Sequence, residues 1–264
     1  MTNTVPLLSI AFMAISCIVA FAIPVVLFIY FRRKKGADIL PFFVGCGVMF
    51  LFALILEALA HQVILGSSFG ERILNNTWLY ALYGGLMAGL FEETGRLIAF
   101  KTVLRGKSGK DSNALMYGAG HGGFEAAVLL GFTMISNIVL SISVNSGYAL
   151  TATGAASEEV LAQIESMLSS LVSTPSYMFL MGGVERIFAV MLQISLSVLV
   201  WFAAKDRGRL YLYPLAIFIH FFVDAFTVIL TKFSVPMLAV EAAIGIMSVL
   251  SVLIAKAVWN KNKA

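Results

Sequence analysis

Three apolar stretches of this chain carry ionisable residues at helical spacing. In Gly84–Phe100, GGLMAGLFEETGRLIAF, Glu92 and Glu93 stand side by side and Arg96 follows within one turn. Further on, His121 precedes Glu125 by four residues, and His220 precedes Asp224 by the same interval. Four residues are about one helical turn, so each pair projects from one face of its helix. Carboxylates beside imidazoles are the parts of a hydrolase: one group takes a proton from water, and others hold that water or stabilise the developing oxyanion. Two imidazoles and two carboxylates also form an acceptable zinc set, His121 and His220 with Asp224 or Glu125, which leaves Glu93 free as the base. The separated His-x-x-x-Glu spacing differs from the His-Glu-x-x-His helix of zinc proteases. It suits equally well an imidazole oriented by its own carboxylate. The expectation is a mechanism without a cofactor, with zinc as the alternative.

Each residue also has a plainer reading. Arg96 lies four residues after Glu92, the favourable order for an intrahelical ion pair, which would merely neutralise that carboxylate. Glu93 then points about 100° away around the helix and is left unexplained. His121 lies in Gly118-Ala119-Gly120-His121-Gly122-Gly123, and such glycines also occur simply as packing contacts between membrane helices. What favours function is cost. An ionisable group deep in a bilayer costs roughly 2.5–3.5 kcal/mol on insertion scales, so one that is kept marks a site by default.

The elements that must position these residues follow from composition. The 264 residues are 60% hydrophobic and only 12% charged, with a mean hydropathy of +0.94. That excludes an ordinary soluble protein. Apolar runs of about 20 residues or more are helix-length, so the fold expected is all-α and polytopic. Seven spans are read: Pro6–Phe31, Ile39–Leu65, Trp78–Leu104, Asn113–Ser143, Tyr177–Ala204, Tyr211–Thr231 and Pro236–Trp259. Residues 157–171, SEEVLAQIESMLSSL, repeat apolar positions at helical spacing after a Ser-Glu-Glu start, which predicts a short amphipathic interfacial helix. No repeat or linker breaks the chain, so residues 1–264 read as one integral membrane domain. Cys17 and Cys46 both fall within spans, which disfavours a disulfide framework. The net charge of +4 is no nucleic-acid footprint, because no basic run is interleaved with exposed aromatics.

Of the 18 basic residues, all but Arg72, Lys232, Arg96 and Arg186 fall in the loops after spans one, three and five or near the C-terminus. The positive-inside rule then places the N-terminus outside and the C-terminus in the cytoplasm of a cell-membrane protein. Counted from the cytoplasmic ends at 1.5 Å per residue, Glu92, His121 and His220 lie roughly 12–18 Å deep, near the midplane of a core about 30 Å thick. They share one level. Glu57, His61, Glu185 and Arg186 lie toward the outer ends of their spans and read as a structural ion-pair cluster.

Glu92-Glu93-x-x-Arg96, Tyr117-x-x-x-His121 and His220-x-x-x-Asp224 resemble the three motifs of the CPBP/Abi superfamily, which includes the type II CAAX prenyl endopeptidases and the PrsW proteases. Length, span number and the Gly-His-Gly-Gly-x-Glu run are most similar to its YhfC branch, described as intramembrane proteases. Only Thr94 and Gly95 separate Glu93 from Arg96, a spacing nearer the PrsW pattern than the prenyl endopeptidase one. The resemblance implies an intramembrane endopeptidase acting on a membrane-embedded or membrane-associated peptide. In it Glu93 or Glu92 activates water held by His121 and His220, Asp224 and Glu125 orient the imidazoles, and Arg96 sets the charge balance. Two other functions use the same residues. A proton-coupled transporter also buries Glu and His chains, although no hydropathy repeat links two halves here. A non-catalytic membrane scaffold binding a partner helix is the other.

Overall fold

The structure, a computed structural model, describes residues 4–147 and 158–262. Among the described residues every regular element is a helix: α1 (Leu7–Lys35), α2 (Leu40–Leu65), α3 (Ser68–Leu74), α4 (Thr77–Lys101), α5 (Ser112–Asn145), α6 (Glu158–Ser173), α7 (Ser176–Lys205), α8 (Leu212–Lys232) and α9 (Met237–Asn262). Six of them, α1, α2, α5, α7, α9 and α8 with its preceding turn, are long and apolar enough to cross a membrane. Large apolar side chains cover their outward faces, with Val63 76% and Leu238 65% exposed. Lipid makes that exposure favourable. The seventh expected span corresponds to α4, whose 25 residues suffice in length. Its composition falls short of the other six because Glu92, Glu93 and Arg96 interrupt the apolar run.

Two spans are locally underwound into wide turns. In α2 the backbone is π-helical over Met49–Glu57, and in α5 over Ala127–Phe132. Such segments shift the helical register and recur near functional sites. Here Glu57 ends the first, and Glu125 lies just before the second.

The chain forms two compact units. The smaller contains the described residues of Met1–Ala22 and Ala126–Arg186, and the larger those of Ile23–Glu125 and Ile187–Ala264. In the smaller unit, Val5, Met13, Met134, Leu171 and Phe179 make one buried cluster. The Asn145 amide closes it by accepting from the Val5 N–H at 2.8 Å and donating to the Val5 carbonyl at 2.9 Å. The expected amphipathic helix is α6, although Ser157 lies outside the described residues. Leu171 of α6 is buried in that cluster, while Met167 is 62% exposed.

The larger unit is organised around the second half of α7, buried almost continuously from Val190 to Ala203. Against it pack Ala99, Phe100, Ala114, Tyr117 and Leu212. Two glycines set how closely the helices approach. A Cβ at Gly85 of α4 would lie 2.5 Å from the Phe221 carbonyl of α8, and one at Gly122 of α5 would lie 2.8 Å from the Gln193 Cβ of α7. Any side chain there would push apart the helices that carry the ionisable residues.

The short connection between α1 and α2 is tied down by charge. Asp38 accepts hydrogen bonds from Lys110 Nζ at 2.8 Å and Asn113 Nδ2 at 3.2 Å, and its own N–H donates to Asn113 Oδ1 at 2.8 Å. These bonds, Lys110 first, hold the Asp38 carboxyl below the usual carboxylate range. A depressed folded-state value adds stability above the unfolded-state value, and the gain is lost as pH falls through the folded one. Acid unfolding of Asp38→Asn should therefore be less steep in that window than that of the wild type. Superimposable acid titrations of the two proteins, followed by tryptophan fluorescence, would contradict this.

Candidate active site

All the residues singled out on the three motif stretches belong to the larger unit. Glu92, Glu93 and Arg96 come from α4, His121 and Glu125 from α5, and His220 and Asp224 from α8. The structure brings them together through two linked halves. In one, Glu92 Oε2 lies 2.8 Å from His121 Nε2. In the other, Glu93 Oε1 lies 2.9 Å from His220 Nδ1. Arg96 stands between the halves, its side chain fully buried. Its Nη1 donates to both oxygens of Glu93 at 3.0 Å, and its Nη2 donates to Gln193 Oε1 at 2.5 Å.

Two pairings differ from those that spacing suggests. The Glu92–Arg96 pair expected at four residues is loose, at 3.9 Å, and the guanidinium closes on Glu93 instead. A forked bond to one carboxylate in a dry interior is stronger than a stretched contact to another. His121 turns away from its own-helix neighbour Glu125 toward Glu92 on α4. His220 keeps its expected neighbour, with Asp224 Oδ2 3.5 Å from Nε2.

Gln193 is the residue that the motifs do not reveal. Its Nε2 donates to Glu92 Oε2 and to Glu125 Oε2, each at 2.9 Å, while its Oε1 accepts from Arg96. One neutral amide thus links two carboxylates and a guanidinium. The sequence signal was available as the lone amide in the middle of Val190-Met-Leu-Gln-Ile-Ser, where a polar group is costly unless bonded.

The two faces of Glu92 and Glu93 are unequal. Both oxygens of Glu93 are bonded to Arg96, and the residue is fully buried. Glu92 bonds His121 and Gln193 through Oε2 alone, and its Oε1 makes no hydrogen bond among the described residues. His121 Nδ1 and the Tyr117 hydroxyl are also buried without a hydrogen-bond partner among the described residues. The Tyr117 ring stacks on that of His121, with centroids 5.9 Å apart and planes 28° apart. Capacity to bond a substrate therefore gathers around Glu92, His121 and Tyr117.

Two pairs are seen within the expected outer cluster, one in each unit. Glu57, buried at the end of the π-helical turn, lies 3.3 Å from His61 Nε2, and His61 Nδ1 lies 2.7 Å from the Tyr83 hydroxyl. Glu57 is also within electrostatic reach of Glu92, His220 and Asp224. Glu185 and Arg186 pair with each other within the smaller unit.

As a zinc site the donor set is chemically suitable but not assembled. Among the described residues no three His, Cys, Asp or Glu side chains are grouped so that they could hold a metal ion. His121 and His220 face different carboxylates, and a guanidinium cation occupies the space between the two halves. No solved structure matches the chain. The YhfC intramembrane metalloprotease family matches residues 19–245. An uncharacterized membrane protein, YhfC of Bacillus subtilis (strain 168), is 37% identical over 207 residues, covering 77% of this chain and 78% of that protein. Together with the apolar spanning helices, this match makes the chain a multi-pass membrane protein that belongs to the YhfC intramembrane metalloprotease family.

Proposed function

We propose that the protein is an intramembrane endopeptidase whose hydrolytic water is activated by Glu92. The observation that carries this reading is the asymmetry of the Glu pair. Glu93 is clamped by Arg96, whereas Glu92 is aimed by His121 and Gln193 and keeps Oε1 unbonded. Glu92 takes a proton from water, and the hydroxide adds to the scissile carbonyl carbon. The hydroxyl of Tyr117 donates to the resulting oxyanion, His121 holds Glu92 through its Nε2–H, and Glu92 returns its proton to the leaving nitrogen as the C–N bond breaks. Arg96 bonds both oxygens of Glu93 and balances its charge, and the Glu93–His220–Asp224 series fixes the α4–α8 face of the site.

The family's description includes a metal. Here His121 and His220 are bonded to separate carboxylates around a guanidinium, an arrangement that does not fit a dication. No step of the proposed reaction therefore passes through one. In this reading α4 is the seventh span, its ionisable groups shielded from lipid by α5, α7 and α8. The N-terminus faces outward and the substrate is a membrane-embedded or membrane-associated peptide.

Two measurements test these points. Protein purified without added metal should cleave a co-reconstituted membrane substrate, and cleavage should persist in a chelator. Activity lost to the chelator and restored by zinc would replace this mechanism with a metal-dependent one. For orientation, a cysteine at Ser68 should react with an impermeant thiol reagent on intact cells, while one at Ser108 should not. Labelling at Ser108 would invert the topology.

A further inference from the structure

We propose that the larger unit carries a binding site for the phosphate of an anionic phospholipid, away from the Glu–His cluster. Where α4 and α7 end, a cavity of about 490 Å³ opens between Lys101, Arg105, Ser108, Trp201, Lys205 and Arg207. That volume lies within the roughly 300–1,000 Å³ typical of ligand pockets. Lys101, Arg105 and Arg207 make no side-chain hydrogen bond or ion pair among the described residues. Such cations around one concavity repel each other unless an anion is shared.

The wall behind them is preorganised. Asp111 Oδ1 accepts from Trp201 Nε1 at 2.9 Å and from Lys205 Nζ at 2.6 Å, which fixes the indole and one ammonium against the cavity. Lys205 Nζ also lies 5.7 Å from the centre of the Phe202 ring. Opposing charge is present but smaller. The C-terminal ends of α4 and α7 contribute about half a negative charge each, and Asp111 one more, so Lys101, Arg105, Lys205 and Arg207 leave a surplus of roughly two positive charges. A phosphate diester with its counter-charge elsewhere suits that surplus.

The surroundings favour a lipid over a soluble ester. Phe100, Trp201, Ala203, Ala204 and Leu210 make half of the lining apolar, and Leu210 is 44% exposed beside it. The cavity sits at the ends of helices that cross a membrane, where basic pockets between spans meet headgroups. Hydroxyl and guanidinium groups reach the phosphate, and the glycerol and acyl parts lie along Leu210.

The test uses the full chain, delipidated in detergent, with phosphatidylglycerol, phosphatidylcholine and inorganic phosphate as probes. Native mass spectrometry should show phosphatidylglycerol retained in preference to phosphatidylcholine. In R105Q/R207Q that preference should fall about thirtyfold, from about 1 kcal/mol for each cation near a headgroup. R105K/R207K should keep most of it, and both variants should unfold at the wild-type temperature because the side chains are exposed. Equal retention of the two lipids by the wild type, or an unchanged preference in R105Q/R207Q, would overturn the proposal. Displacement of phosphatidylglycerol by inorganic phosphate at equal concentration would overturn the lipid as occupant and assign the site to soluble phosphate. None of these readouts depends on proteolysis, so the site stands or falls apart from the proposed activity.

Discussion

Arg96→Met is expected to lose about 3–5 kcal/mol of stability, the usual cost of breaking a buried ion pair by deleting one partner. The side chain is fully buried and is bonded to Glu93 twice at 3.0 Å and to Gln193 at 2.5 Å. Methionine fills much of the volume and is at home in an apolar span. The loss therefore comes from charge and not from a cavity. It strands the Glu93 carboxylate in a dry interior, beside Glu92 with only imidazoles nearby. Arg96→Lys keeps the charge but not the planar fork, so it should fall between the two. Arg96→Met combined with Glu93→Gln should recover part of the loss, because the stranded charge is then removed with its partner. Thermal unfolding in one detergent would compare all four proteins. A wild-type midpoint for Arg96→Met would show that the guanidinium does not neutralise the Glu pair.

The helical class and most helix limits were legible because long apolar runs leave the backbone little alternative in lipid. The sequence reading of Tyr177–Ala204 and the observed Ser176–Lys205 differ by one residue at each end. Convergence was legible too, since counting along the expected spans puts Glu92, His121 and His220 at one level, and the structure joins Glu92 to His121 and Glu93 to His220. The pairings were not. Positions three and four residues apart are both in reach on a helix, so spacing cannot say whether Arg96 prefers Glu92 or Glu93. That choice is made by α8, whose His220 draws Glu93 to its side. In the same way His121 is claimed by a carboxylate on α4 before its own-helix neighbour can bond it. Gln193 carries no charge and belongs to no motif, so its role shows only when three helices are placed around it. The π-helical turns of α2 and α5 are likewise silent in hydropathy, because widening a turn leaves composition unchanged.

Glu92→Gln should abolish proteolysis while leaving the protein folded, and Glu93→Gln should do the reverse in proportion. Both substitutions keep the shape of the side chain. At position 92 the amide oxygen can still accept from His121 or Gln193, so the local bonds survive with one adjustment. What is lost is the capacity to take a proton from water, and a positioned general base contributes roughly 10²–10⁴-fold. At position 93 the same change replaces a charge bonded to Arg96 at both oxygens, so the guanidinium loses its counter-ion. Stability should fall first there, and activity should fall with the folded fraction. Measuring the cleavage rate per folded molecule separates the two. If Glu93→Gln lowers that rate by orders of magnitude and Glu92→Gln leaves it near wild type, the base is Glu93 and the roles of the pair are exchanged. If neither substitution changes it, the carboxylates hold the helices together and the water is activated elsewhere.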